Sequence, residues 1–291
     1  MNTRQLGDLT INRILELEAP FIPPLEMFDE AVAEAVEPHR HWLEPDALDP
    51  VSGKLILPVQ SYLVRSRHHT ILIDTCIGCR KSYDGLPEWK DRRDESWLQN
   101  LAAAGVGPEE IDYVFCTHLH VDHCGWNTRL VDGRWTPTFP NAKYILAKEE
   151  YAASEAGGSV VFLQNVLPIM EAGQAVLVET DYALDDEVWL TPALGHTAGH
   201  VAVNISSQGS DAIMIGDMIH NPIQLAHPDW SPKFDLDKAL SARTRKHFLE
   251  SHCDSDKLIL TAHFPSPSVG RVVSHPERAF DFQYAPPILV G

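Results

Sequence analysis

The chain has no apolar run close to the roughly 20 residues that a membrane-spanning helix needs. Its first residues, MNTRQLGDLTINRILELEAP, carry no signal-peptide core. They read as an opening strand, and the chain as given is expected to be cytoplasmic. Basic residues are scarce: 23 Lys and Arg stand against 41 Asp and Glu, a formal net charge of −18. A surface of that sign repels nucleic acid and anionic membrane, so neither is expected as a partner. Cysteine is sparse and odd in number, five in all, which argues against a disulfide framework. The CIGC stretch from Cys76 to Cys79 has the spacing of a zinc or redox pair, but no second pair accompanies it. The two read as reduced thiols in a turn after a buried strand, and Cys116 reads as a small buried hydrophobe. Internal repeats and low-complexity linkers are also missing. What remains, 291 residues at 44% hydrophobic and 22% charged, is the composition of a soluble globular enzyme of one large or two small domains.

Histidine, by contrast, is plentiful, with 15 in the chain. Four metal-capable side chains crowd into CTHLHVDHCGWN: His118, His120, Asp122 and His123. The preceding IDYVFC is β-branched and aromatic and reads as a strand. On an extended continuation His118, His120 and Asp122 share one face. A turn at DHCG then swings Asp122 and His123 to the other side of a common point.

Elsewhere strands and helices alternate. KLILPVQSYLVRS, HTILIDT, GQAVLVE, EVWLTPA, HVAVNISSQ and DAIMIGD read as strands, and KLILTAHF as the last clear one. DESWLQNLAAAGV, KEEYAASEA and DLDKALSARTRKHFLESH read as helices, the last with Asp235 as its N-cap. This mixture predicts an α/β (α+β) fold, sheets with helices packed on their faces. The proline-rich stretch at about 20–50 reads as an irregular arm or cover.

Three further strands each end in one metal-capable side chain: His196 in TPALGHTAGH, Asp217 in DAIMIGD and His263 in KLILTAHF. A single His or Asp at a strand end is ordinary turn chemistry. The set of five histidines and two aspartates points instead to metal.

HLHVDH, GHTAGH, GD and AHF, in that order, resemble the metallo-β-lactamase superfamily. The resemblance covers about residues 55–265 plus the N-terminal strand. It implies one domain over 1–291, a four-layer αβ/βα sandwich of two mixed sheets flanked by helices, with two metals at one edge. It further implies that His118, His120 and His196 hold one ion, Asp122, His123 and His263 the other, and that Asp217 bridges them. Such nitrogen and oxygen ligands suit two divalent ions, zinc first, with cobalt, manganese or iron as the other candidates. Two ions about 3.5–4 Å apart share and acidify a water, whose hydroxide attacks a carbonyl carbon or a phosphorus. Asp122 is expected to orient that water and take up its proton.

Within the superfamily, the branch resemblance is to acyl-homoserine lactonases and methyl-parathion hydrolases. Asp217 stands where one β-lactamase type has cysteine. His120 stands where the diiron branch has glutamate. The basic glutathione-binding segment of glyoxalase II is not evident. His220, three residues after Asp217, resembles the methyl-parathion-hydrolase pattern and is expected to donate to a developing oxyanion. A structural histidine is the plain alternative.

The substrate expected is a small neutral lactone or carboxylic ester, since the acidic surface disfavours anionic ones. An organophosphate triester is the alternative. A β-lactam substrate, a non-catalytic metal-binding role and a thiol redox role at CIGC rank lower. A homodimer is expected through the apolar arm, as in related lactonases. Asp74 reads either as a carboxylate orienting a ligand histidine or as a turn residue, and His200 as structural. Trp126, Trp230 and Phe264 read as pocket-lining or as core. His68, His69, His247 and His252 read as surface residues.

Overall fold

The computed structural model describes residues 3–83 and 85–286. One sheet takes in the first half of the chain. Its strands are β1 (Thr3–Leu6), β2 (Leu9–Ile22), β3 (Leu55–Arg65), β4 (Thr70–Ile73) and β5 (Tyr113–Phe115). A two-stranded hairpin of β6 (Thr128–Val131) and β7 (Arg134–Pro137) stands apart from it. The first sheet then resumes with β8 (Lys143–Ala147) and β9 (Ala175–Val178), in the spatial order β1-β2-β3-β4-β5-β8-β9. The second sheet runs in chain order through β10 (Val188–Pro192), β11 (Val201–Ser207), β12 (Ser210–Met214), β13 (Leu258–Leu260), β14 (Val269–Val273) and β15 (Asp281–Tyr284). Both sheets are mixed: β4–β5, β5–β8, β8–β9 and β12–β13 pair parallel, the rest antiparallel.

The two-residue period of each strand sorts its side chains between layers. Tyr62, Val64, Ile71, Ile73 and Phe115 face inward and meet Ala212, Met214 and Leu260 of the other sheet. Their neighbours Val59, Leu63, Leu72 and Val114 face outward, into a second core with Trp97 and Leu101 of α4 (Ser96–Ala103). Ile213 and Ile259 likewise face outward to Phe248 and Leu249. Helix, sheet, sheet and helix therefore stack in four layers, as the resemblance implies.

Three one-turn helices, α1 (Pro24–Met27), α2 (Ala33–Val36) and α3 (Arg40–Leu43), precede α4. After it come α5 (Lys148–Gly157), α6 (Leu167–Glu171), α7 (Ile223–Ala226) and α8 (Lys238–His252). No helix of the described residues is long and apolar enough to cross a membrane.

Several expectations need correction. The arm at 20–50 is less irregular than its prolines suggest, because β2 runs on to Ile22 and three short helices follow. Its Met27, Phe28, Leu43 and Leu48 are buried against Leu55, Leu57, Ile223 and Trp230 of the same chain. KLILTAHF is not the last strand, since β14 and β15 follow. Gly270 of β14 lets Gln283 and Phe282 approach so closely that a Cβ would lie 2.4 Å from the Gln283 carbonyl oxygen. That glycine and the brevity of both strands hide them from a composition reading. The N-cap of α8 is Asp237, whose carboxylate accepts from the Leu240 N–H, and not Asp235.

The arm is clasped to the body by two imidazoles. His39 Nε2 lies 2.7 Å from His227 Nε2, and His227 stacks on Trp230. Burial pushes both below the ordinary histidine range. His227, His41 and Arg278 add to that at His39, while Asp229 opposes it at His227. A depressed histidine pKa means that the folded state binds fewer protons than the unfolded one. The clasp is therefore strongest above about pH 6.5 and is lost as pH falls through the folded values. Amide exchange across 24–48, corrected for intrinsic rates, should be faster at about pH 5 than at about pH 7.5 relative to the sheets. Equal protection at both would show that the pair is not a titrating contact.

Candidate metal centre

The candidate ligands come from the ends of strands in both sheets. β4 and β5 lie parallel, so their C-terminal ends emerge side by side. The same holds for β12 and β13 across the sandwich. Asp74 follows β4, His118 to His123 follow β5, Asp217 follows β12 and His263 follows β13. His196 sits in the turn between β10 and β11.

β5 ends at Phe115, so His118, His120 and Asp122 are not on an extended strand, and their convergence has another cause. Asp74, at φ +60°, accepts from the Thr117 N–H at 2.7 Å and the Thr117 hydroxyl at 2.8 Å. It also accepts from His123 Nδ1 at 2.8 Å. Both readings of Asp74 hold, since a turn residue also orients a histidine. Glu150 at the start of α5, buried, accepts from Leu119 N at 2.9 Å and Gly199 N at 3.0 Å. It ties the His118–His120 segment to the loop that carries His196.

The seven residues meet as two groups: His118, His120, His196 and Asp217, and Asp122, His123 and His263. Asp217 straddles them. Its Oδ2 lies 3.5 Å from His118 Nε2 and 3.3 Å from His196 Nε2. Its Oδ1 lies 3.0 Å from both His123 Nε2 and His263 Nε2. Asp122 Oδ2 stands 3.8 Å from His123 Nε2 and 3.7 Å from His263 Nε2.

The outward nitrogens are held. His123 Nδ1 meets Asp74, His196 Nδ1 meets Asp235 at 2.7 Å, and His263 Nδ1 donates to the Pro58 carbonyl at 2.7 Å. Those bonds place the proton on Nδ1 and turn the Nε2 lone pair inward, the arrangement that metal-binding histidines use. His120 is reversed, with Nδ1 inward, 2.9 Å from His196 Nε2. His118 Nε2, His123 Nε2 and Asp217 Oδ1 are buried and find no hydrogen-bond partner among the described residues. Buried polar atoms are costly when unpaired, and here they aim at shared points, which fits divalent cations.

The electrostatics agree. Burial, then His123, pushes His118 well below its ordinary value, and burial, then His196, does the same to His120. Burial also opposes charge on His123 and His196. The aspartates around His123 outweigh it, and hydrogen bonds to Asp217 and Asp235 raise His196 to about 9. Burial alone would raise Asp217, yet His123, His263 and their neighbours hold it far below the carboxylate range. Without ions, Asp217 and its neighbours draw protons onto His123 and His196; bound cations would take the place of those protons and free the inward Nε2 atoms to act as ligands.

Above it lies a cavity of about 280 Å³, walled by Phe21, Leu57, Val59, Leu86, Trp89, Val121 and Phe234. Phe21 and Trp89 stack at 4.8 Å. Asp122, Asp217, His220 and His263 form part of its floor. His220 is buried, its Nε2 lies 3.2 Å from Asp217 Oδ2, and neither ring nitrogen has a hydrogen-bond partner among the described residues.

A chain carrying such a cluster where two mixed sheets meet can be compared with known proteins. The model of the metallo-beta-lactamase superfamily matches residues 56–263. The chain belongs to that superfamily. An N-acyl homoserine lactonase of Bacillus sp is 27% identical over 177 residues, 56% of this chain and 64% of that protein. The N-acyl homoserine lactonase AiiA of Bacillus thuringiensis subsp. kurstaki is 26% identical over 182 residues, 58% of this chain and 66% of its own length. The chain thus spans just under two thirds of these relatives. The structure of AidC, a dizinc quorum-quenching lactonase in complex with a product, superposes with a TM-score of 0.81 at 22% identity, covering 98% of this chain and 97% of that one. The hydrolase AbOPH gives 0.78 at 20% identity, covering 98% of each chain. At these identities the structural likenesses speak to the fold alone.

The side chains around the centre divide between support and lining. His200 is structural: its Nδ1 meets the Ala193 carbonyl, and its Nε2 accepts from the Asp217 N–H. Trp126, Trp230 and Phe264 do not line the pocket. Trp126 stacks on Trp97, Trp230 on His227, and Phe264 packs against Phe282. Phe21, Trp89 and Phe234 line it instead. Of the expected surface histidines, His68 and His247 are exposed, while His69 and His252 are half-buried. Cys76 and Cys79 are buried and unpaired. Cys76 contacts the Ser61 hydroxyl, and Cys79 the Arg92 carbonyl.

Proposed function

We propose that the chain is a metal-dependent hydrolase that opens lactones or cleaves carboxylic esters at a binuclear centre. The observation that carries this reading is the division of Asp217, one oxygen toward each histidine group, beneath an apolar cavity. His118, His120 and His196 would hold one divalent ion, Asp122, His123 and His263 the other, with Asp217 between them. Bound there, the pair supplies an acidified water and a Lewis acid for the substrate oxygen.

The protein's own groups do the rest. Asp122 borders the cavity, close to His123 and His263, where its carboxylate orients the attacking water and receives a proton. His220 presents an unpartnered ring nitrogen to the same space and donates to the oxygen that gains charge. The apolar walls exclude competing water and accept a neutral, partly apolar molecule. The lactonase relatives support lactones as the first substrate class. Zinc is the first choice of ion on the chemistry of the donors. A homodimer is part of the proposal, carried now by Leu25 and Val32, which stay exposed on the arm.

A kinetic panel tests the assignment. It should include acyl-homoserine lactones, simple γ- and δ-lactones, aryl esters, a methyl-parathion-like triester and a chromogenic β-lactam. Lactones or esters should give the highest kcat/KM, and His220→Phe should lower kcat on them by about 10²-fold, the worth of one oxyanion donor. A triester leading by more than about tenfold, some 1.4 kcal/mol of transition-state preference, would reverse the order in favour of organophosphate hydrolysis. A leading β-lactam would overturn the branch.

A further inference from the structure

A buried cation stands behind the first ligand group. Arg245, on α8, is fully buried. Its Nε donates to the Met218 carbonyl at 2.8 Å, the peptide next to Asp217. One terminal nitrogen donates to the Pro228 and Trp230 carbonyls at 2.7 and 2.8 Å. The other donates to the Ser241 hydroxyl at 3.0 Å and lies 3.7 Å from Asp235 Oδ2. Asp235 Oδ1 is the atom that meets His196 Nδ1.

Asp235 Oδ2 has no hydrogen-bond partner among the described residues. Its charge is balanced across the gap by the guanidinium, and an ionised partner in a dry site acts strongly at that distance. Burial lowers Arg245 to about 10, so it is still charged at neutral pH. The planar fork of arginine can serve the Met218 peptide, the 228–230 loop and Asp235 at once, which a lysine ammonium cannot do with the same geometry.

We propose that Arg245 is a positioning residue for the ion held by His118, His120 and His196, acting through Asp235 on His196. This rests on the binuclear reading above. The plain alternative is a staple that only fastens α8 to the loop beneath it. The two differ in what they do to metal affinity. A staple affects both metal positions alike, or neither. A positioning residue affects the one that contains His196.

The test is titration of the metal-free protein with Co²⁺, read by calorimetry and by visible absorption of the bound ion, with His196→Ala marking the site in question. The wild type should show two sites. Arg245→Met should weaken the site lost in His196→Ala by about 10–100-fold, the usual cost of removing support behind a ligand, and change its absorption band. The other site should stay within about twofold. Asp235→Asn should give the same selective loss. The double variant should lose little more than either single one, because the two act in series. Arg245→Lys, which keeps the charge and loses the fork, should fall between, and it decides the matter if Arg245→Met does not fold. Unchanged affinity in Arg245→Lys and Arg245→Met, or an equal loss at both sites, would overturn the role of Arg245. A folded wild type that took up no cobalt would overturn the functional reading itself.

Discussion

Chelation of divalent ions should abolish hydrolysis, and zinc, cobalt or manganese added back should restore it. Elemental analysis of the active form should find about two ions per chain. Without ions, the centre brings together the inward nitrogens of His118, His123, His196 and His263 around Asp217, with Asp122 beside His123 and His263. Nothing in that set generates a nucleophile at neutral pH, so the residual rate should be close to background. Stability should fall as well, because an ion that binds only the folded chain stabilises it by about 3–4 kcal/mol at 100 to 1,000 times its dissociation constant. Thermal unfolding with and without chelator measures that second effect independently of any substrate. Full activity in metal-free protein would sink the proposed mechanism.

Asp217→Ala should cost about 10³-fold in kcat/KM, the equivalent of several kcal/mol of lost charge stabilisation. It should also reduce the metal content. The side chain reaches both histidine groups, and alanine leaves His123 and His263 without their 3.0 Å contact. The fold should survive, since the Asp217 N–H still donates to His200 and the loop keeps Gly216 at its φ of +52°. Circular dichroism and metal analysis on the same preparation separate loss of chemistry from loss of structure. A variant with both ions bound and near-normal turnover would remove Asp217 from the centre.

The seven clustered residues were legible in the sequence because each is metal-capable and each stands at the end of an apolar run. That signal is local. The residues that hold them are not legible in the same way. Asp235 looked like a helix cap because it precedes a helical pattern by a few residues. Its true contact, His196, is a partner chosen by tertiary packing. Arg245 and Glu150 sit within ordinary helical charge patterns, and only the fold shows that they face inward. The pocket walls were missed for a related reason. Trp126 and Phe264 adjoin motif residues along the chain but point into the layers, whereas Trp89 arrives from a loop with no motif of its own. Sheets with helices on their faces were readable from the apolar runs, and the four-layer order from the resemblance of the motifs, but the short strands β14 and β15 were not.

The parallel pairing of β4 with β5 and of β12 with β13 has an evolutionary consequence. A parallel pair cannot be closed by a tight turn, so each needs a long return path. Those two paths carry the cavity walls Leu86 and Trp89 on one side and Phe234 on the other. Their ends are anchored in the sheets, where the acidic and imidazole groups emerge. Exchange of the wall residues on either path can therefore reshape the cavity while the anchored ends, and Asp235 and Arg245 behind His196, stay put. One scaffold of this kind lets lineages diversify in what they admit while the clustered histidines and aspartates are inherited unchanged.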